Sequence, residues 1–277
     1  MNPDRVWREL SNDALARQIV AESYGLFVAM PFRDQFSYRA DRVFVDVVEA
    51  AVAKANATGS PRPFGSPIRA DRMAPSAAEI TEDIVEGILF NHFFLADLTM
   101  ANQGVLVELG VALALKSPRQ VILIAQGNLS DLHFDIKDNR VIQYDQPLAQ
   151  ESIARALVDG AGRFEAAVGD RMAAIRRFLS PQAVYLLNLY GRLRKLQPGL
   201  SLHGGAVVDD ANLSINPALR ELVFYSAAQE LQSRGLIELD YAVADDQVNP
   251  DRFGLHATEL GLVFIRQTWP KSLGDLR

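Results

Sequence analysis

Glu108 is the residue whose placement first points to chemistry. It sits inside Gly104-Val-Leu-Val-Glu-Leu-Gly-Val-Ala-Leu-Ala-Leu, a helical segment apolar on almost every side, where a carboxylate buried without a partner would cost several kcal/mol. Two readings are open: the carboxylate pairs with an arginine or caps a neighbouring helix, or it is held there to act on a ligand. Gly104 and Gly110 bracket it, and glycine costs roughly 1 kcal/mol in a helix interior, so the pair predicts close approach of a ligand or another backbone. Asp97 ends the preceding apolar run, where it can accept backbone N–H bonds from the following loop or hold a sugar hydroxyl. Capping by Asp97 or Thr99 is the structural alternative. Met30, Pro31, Phe32 and Arg33 follow an earlier apolar run and can frame a base or a phosphate. Arg69 and Arg72 either pair with phosphate in a bidentate manner or stand as solvated cations near Asp71.

The elements that must position these residues alternate in type. Residues 4–22 read as a helix, and Leu26 to Met30, a short apolar run ended by Pro31, reads as a strand buried on both faces. Helical spacing follows at Val43, Val47, Val48, Ala51 and Val52, then a loop from Thr58 to Pro67 rich in proline and glycine. A second helical stripe runs from Ile80 to Leu89 and a strand from Phe93 to Ala96. A third helix covers Gly104 to Leu115, and further strands fall at Val121 to Ala125 and Val141 to Tyr144. Strands alternating with amphipathic helices predict βαβ units and one parallel sheet. Ligands of such sheets bind at the carboxyl ends of the strands, which selects the loops starting at Met30, Asp97 and Gln126. None carries a Gly-x-Gly-x-x-Gly or Walker-type phosphate loop, which disfavours a dinucleotide fold of the Rossmann type or a P-loop NTPase.

The chain has 277 residues and 49% hydrophobic content, enough for two compact domains or one large one. A formal net charge of −6 argues against a general nucleic-acid-binding surface. The absence of cysteine excludes disulfides, thiolate zinc sites and a cysteine nucleophile. His92, His133, His203 and His256 are scattered without ligand-like spacing, so no metal and no cofactor is expected. The first residues lack the apolar core of a signal peptide, and no apolar run approaches the roughly 20 residues that span a bilayer. The expected location is therefore the cytoplasm, without membrane association.

Ala96-Asp97-Leu98-Thr99, Asn102, Gly104 and Glu108-Leu109-Gly110, followed by an alanine-rich helix and Val121-Ile-Leu-Ile, resemble the signature of the nucleoside 2-deoxyribosyltransferase-like family, which includes deoxynucleoside monophosphate N-hydrolases. Phe27-Val-Ala-Met-Pro-Phe32 and the stretch from Phe134-Asp135-Ile136 to Arg140-Val-Ile-Gln-Tyr144 are similar to bacterial TIR-like relatives. The resemblance covers about residues 24–145 and implies a flavodoxin-like, doubly wound parallel sheet. It implies that Glu108 attacks an anomeric carbon, a role that suits a carboxylate because N-glycosidic cleavage develops an oxocarbenium-like centre. A second acid should protonate the departing base. Asp83, beside Glu82 in the preceding helix, matches the family's upstream aspartate, its alternative being a solvated helix carboxylate. Asn102 departs from the pattern, standing where the transferases carry an acid and the monophosphate hydrolases a phosphate-binding serine. A homo-oligomer is also implied by the resemblance alone.

Three segments are expected: the α/β domain over 1–146, a helical connector over 147–180, and a domain over 181–277. In the last, helices at Ala183 to Leu196 and Pro217 to Arg234 precede two strand-like runs, Gly235 to Tyr241 and Phe253 to Thr258, resembling a winged helix. That segment carries fewer Lys and Arg than Asp and Glu, which disfavours DNA binding and leaves self-association as the expectation. Its basic cluster, Gly191-Arg-Leu-Arg-Lys, also reads as a solvated helix end. Three functions follow. The first is an N-glycosidase or deoxyribosyltransferase acting on a nucleoside or nucleotide. The others are a TIR-like NAD-cleaving effector and a non-catalytic nucleotide-binding or regulatory protein.

Overall fold

A computed structural model describes residues 3–72, 80–127, 141–187, 202–203, 217–241 and 253–268. It forms two compact units, one of Ala21–Val168 and one joining the residues up to Val20 with those from Gly169 onward.

The first unit is an α/β fold around a five-stranded parallel sheet. Its strands are β1 (Leu26–Ala29), β2 (Ile68–Arg69), β3 (Phe93–Asp97), β4 (Val121–Ala125) and β5 (Val141–Gln143), in the order β2-β1-β3-β4-β5. All four pairings are parallel. The sheet therefore winds outward from β1 in both directions, which right-handed crossovers achieve by placing helices on both faces. The apolar strand residues follow from this, since both faces of β1 and β3 are buried.

One face is covered by α3 (Ile80–Phe90) and α4 (Gln103–Leu115). Ile88, Val105, Leu109 and Ala112 pack there on Phe27, Phe94, Ala96 and Leu123. Phe27 and Phe94, register partners on adjacent strands, stack at 6.2 Å. Gly87 lets α3 lie against them: a Cβ there would stand 2.3 Å from the Phe27 ring. The opposite face carries Phe93, against which α5 (Ala149–Phe178) packs; a Cβ on Gly160 would lie 2.8 Å from that ring and 2.9 Å from the Arg119 carbonyl oxygen. Burying each such phenylalanine is worth about 1.5–3 kcal/mol. Helix α2 runs as α-helix over Ala40–Val43, as π-helix over Phe44–Glu49 and as α-helix again over Ala50–Thr58. It ends at Gly59, whose φ of 90° is the left-handed stop that glycine adopts without strain.

In the second unit α1 (Pro3–Val20) packs on α7 (Glu259–Thr268). Helix α6 (Pro217–Ser233) leads through Gly235, at φ +70°, into β7 (Ile237–Tyr241), which pairs antiparallel with β8 (Phe253–Ala257). The two-residue β6 (Leu202–His203) pairs with the other side of β8. Thr258 closes the unit by donating to the Gly235 carbonyl oxygen at 2.6 Å and accepting from the Gly261 N–H at 3.0 Å, at the start of α7.

These units differ from the sequence boundaries in two places. Helix α1 lies in the C-terminal unit rather than in an α/β domain over 1–146, because an amphipathic stripe announces a buried face without naming its partner. Residues 149–168 are no connector: they are the part of α5 that covers the sheet. Strand β2 was not anticipated, being two residues long with a charged member. The Phe134-to-Arg140 part of the family-like stretch, the helix beyond residue 187, the Gly191-to-Lys195 cluster and His133 lie outside the described residues. Among the described residues, no helix is long and apolar enough to cross a membrane.

Candidate active site

A cavity of about 340 Å3 opens at the carboxyl ends of β1, β2 and β3, where the strand order reverses between β1 and β3. Met30 and Phe32 enter it from the loop after β1, and Ala70 and Asp71 from the 3-10 turn after β2. Ile84 projects from α3, while Asn102, Gly104, Val105 and Glu108 belong to the cap and first turns of α4. Much of this lining is apolar, and Phe32 is 57% exposed at its edge.

The start of α4 is fixed locally. Asn102 is its N-cap, its Oδ1 accepting from the N–H groups of Gly104 at 3.0 Å and Val105 at 3.3 Å. The preceding turn holds two non-glycine residues in the left-handed region, Met100 at φ 62° and Ala101 at φ 46°. Strain of this kind, about 1–3 kcal/mol per residue, persists only where surrounding structure imposes it, and it clusters at functional sites.

Val105, Leu109 and Ala112 turn α4's buried face to the sheet, whereas Val107 is 69% exposed. Glu108 falls at the border of these faces, half-buried and lining the cavity. Burial, supplemented by the negative charge of Asp71, pushes its carboxyl up to about 7. The shift brings it nearer neutrality than an ordinary glutamate, and a carboxyl perturbed by burial and a charged neighbour in a cleft is the mark of a candidate functional site.

Asp71 is positioned by ion pairing. Arg69, its side chain only 3% exposed, donates in a bidentate manner to Asp71, Nε to Oδ1 at 2.8 Å and Nη2 to Oδ2 at 2.6 Å. Its Nη1 donates to Asp41 Oδ1 at 2.5 Å, which also accepts from Arg72 Nη2 at 2.9 Å. The two guanidinium groups hold the Asp41 carboxyl below its ordinary range. Both also lie over the ring of Phe44, in the π-helical stretch of α2, at 5.4 Å.

Outside the cavity lining, at the end of β3, Asp97 is 0% exposed. Its Oδ1 accepts from the Thr99 N–H at 3.0 Å and the Thr99 hydroxyl at 2.5 Å; its Oδ2 accepts from Tyr38 Oη at 3.1 Å and Tyr144 Oη at 3.3 Å. Burial outweighs these four bonds and raises the carboxyl. Thr99 Oγ1 in turn accepts from the Gln126 N–H at 2.9 Å, so the knot ties the ends of β3 and β4 to Tyr144, just past β5.

Five of the residues singled out in the sequence thus meet in one cavity: Met30, Phe32, Asn102, Gly104 and Glu108. Pro31 is buried beside it, its carbonyl oxygen 3.1 Å from the Tyr38 hydroxyl, whose one proton it shares with Asp97. Asp83 is half-buried on α3, next to the lining Ile84 but not itself lining. Asp97, Arg69 and Arg72 are outside the lining, and the bidentate partner of Arg69 is Asp71. Among the described residues the close approach expected at the glycines is not found: nothing lies within 4 Å of a Cβ on Gly110, and one on Gly104 would meet only the Asn102 side chain. Asp71, Tyr38 and Tyr144 were missed. The available signal for Asp71 was its position two residues after Arg69, directly beyond a strand too short to recognise. Comparison with protein-family models, with curated proteins and with solved structures returns no match to this chain.

Proposed function

We propose that the α/β unit cleaves, or transfers across, the N-glycosidic bond of a nucleoside or nucleotide, with Glu108 as nucleophile. The observation that carries this reading is a half-buried carboxyl near pKa 7 in an apolar cavity at the switch point of a parallel sheet, beside a second, arginine-held carboxylate. Ionised Glu108 attacks the anomeric carbon as the C–N bond breaks and the base departs with the bonding electron pair. Water or an acceptor base then attacks the same carbon and returns Glu108 as a carboxylate. Met30, Ile84, Val105 and Phe32 supply apolar surface for the base, and the fixed charge of Asp71 favours positive charge developing on the sugar. Asp83, beside Ile84 but outside the lining, is the proposed source of the proton for the departing base, delivered through a bridging water.

The cavity volume sits at the low end of ligand pockets, which favours a nucleoside-sized substrate over a dinucleotide such as NAD. The strand order supports the flavodoxin-like assignment, and the helix-then-hairpin order of α6, β7 and β8 supports a winged-helix-like C-terminal unit, whose proposed role is self-association. The test is incubation of wild type and Glu108→Gln with deoxynucleosides, deoxynucleoside monophosphates and NAD, with free base and nicotinamide quantified by chromatography. Base release that falls roughly a thousandfold or more in the variant is expected. Nicotinamide release would move the protein to the NAD-cleaving reading, and release unaffected by the substitution would remove Glu108 from the mechanism.

A further inference from the structure

A second cavity, of about 180 Å3, lies away from the Glu108 site, between α5 and the outer part of the sheet. Pro118 and Arg119, which border it, precede β4, so it lies toward the amino end of that strand, whereas the Glu108 cavity opens at the carboxyl ends. Five strand residues correspond to about 16 Å. The floor is apolar, formed by Ile122 and Ile142, whose register puts them on one face of the sheet. The walls carry Arg119, Arg155, Arg163, Ser152 and one carboxylate, Asp159.

Three arginines therefore border one small space against a single aspartate, in a chain whose formal net charge is −6. Among the described residues none of the three arginines is held in an ion pair, unlike Arg62, Arg69 and Arg72. The grouping is built by the fold. Ser152, Arg155, Asp159 and Arg163 recur at spacings of three and four along α5, which puts them on one helix face. Gly160, on that same face, brings the helix against the Arg119 backbone, where a Cβ would stand 2.9 Å from the carbonyl oxygen. Like charges gathered in this way repel unless an anion sits among them. Guanidinium forks match phosphate oxygens in pairs, and Ser152 adds a hydroxyl donor.

We propose that this cavity is a binding site for a small phosphorylated molecule, whose phosphate groups are held by Arg119, Arg155 and Arg163 and whose body rests on the apolar floor. At about 180 Å3 the space lies below the roughly 300 Å3 at which ordinary ligand pockets begin, so it takes one or two phosphate groups and a small part of the body they are attached to rather than a nucleic-acid strand. The site is independent of the glycosidase reading and shares no residue with the Glu108 cavity.

The test uses the full chain at constant ionic strength. Inorganic phosphate, inorganic diphosphate and a nucleoside diphosphate are titrated into wild type, Arg155→Gln/Arg163→Gln and Glu108→Gln, with binding read by calorimetry. Both arginines are exposed, so the double variant is expected to melt as wild type does in the absence of ligand, and a melt of each protein checks this. Saturable binding is expected in wild type and Glu108→Gln, weakened about tenfold per arginine removed. Equal affinity for diphosphate and nucleoside diphosphate identifies the phosphates alone as the ligand, and tighter binding of the nucleotide places its body on the floor; either supports the site. No saturable binding of any probe, or binding that survives the double substitution, would overturn it.

Discussion

Replacing Glu108 by glutamine is expected to leave stability nearly unchanged at pH 4.5 and to increase it at pH 8. In the folded protein the carboxyl is raised to about 7 from an ordinary value of 4.5, by burial first and by Asp71 second. Between those values the folded chain holds a proton that the unfolded chain has lost. Wild-type stability therefore falls as pH rises through this window and is flat in this respect outside it. At 1.36 kcal/mol per unit the loss has an upper bound of about 3 kcal/mol, and water in an open cavity screens it to about 1–2 kcal/mol. Glutamine keeps the shape without the charge, so the difference between variant and wild type should grow from near zero to that value. Trp7 and Trp269 both lie outside Ala21–Val168, so tryptophan fluorescence would report the wrong unit. Hydrogen exchange of the β1, β3 and β4 amides, compared between the two proteins at each pH, reads the sheet directly. Parallel curves for wild type and variant from pH 4.5 to 8 would refute the reasoning.

Asp71→Asn should lower the midpoint at which Glu108 titrates, because it removes the charge that supplements burial; carboxyl-carbon NMR across pH 4 to 9 measures the shift. Asp97→Asn should destabilise the α/β unit by about 2–4 kcal/mol, since an amide presents two hydrogens to a site built from four donors, and the same exchange measurement detects it. Lys116, buried with Nζ donating to the Asn91 carbonyl oxygen at 2.5 Å, is lowered by burial from 10.5 to about 7. In that window the unfolded chain binds a proton that the folded chain lacks, so stability rises with pH; Lys116→Met should abolish this rise in exchange profiles between pH 7 and 10.5.

The sheet was legible where the physics is local. Leu26 to Ala29, Phe93 to Ala96 and Val121 to Ala125 are unbroken apolar runs because both of their faces are covered, and α3 shows its spacing because it buries a stripe. Strand β2 left no such trace: Ile68-Arg69 exists as a strand because Phe27 and Val28 pair with it, a long-range fact. With β2 unseen, Asp71 could not be placed, and Arg69 read as a ligand for phosphate although its forks are filled by Asp71 and Asp41. Glu108 was legible as an anomaly, yet its surroundings were not, since apolar residues encircle α4 in sequence while only Val105, Leu109 and Ala112 bury against the sheet. Asp97 was equally visible as the end of a strand. Its partners Tyr38 and Tyr144 lie 59 and 47 residues away in the chain, and no spacing rule links them.

The proposed chemistry rests on Glu108 acting in its ionised form, so the most direct measurement is base release from deoxynucleosides and their monophosphates as a function of pH. Wild type should gain activity as pH rises through about 7 and level off above it, and Glu108→Gln should show no such limb and little release. Activity that instead falls as pH rises through 7, or that persists in Glu108→Gln, would contradict a nucleophilic Glu108.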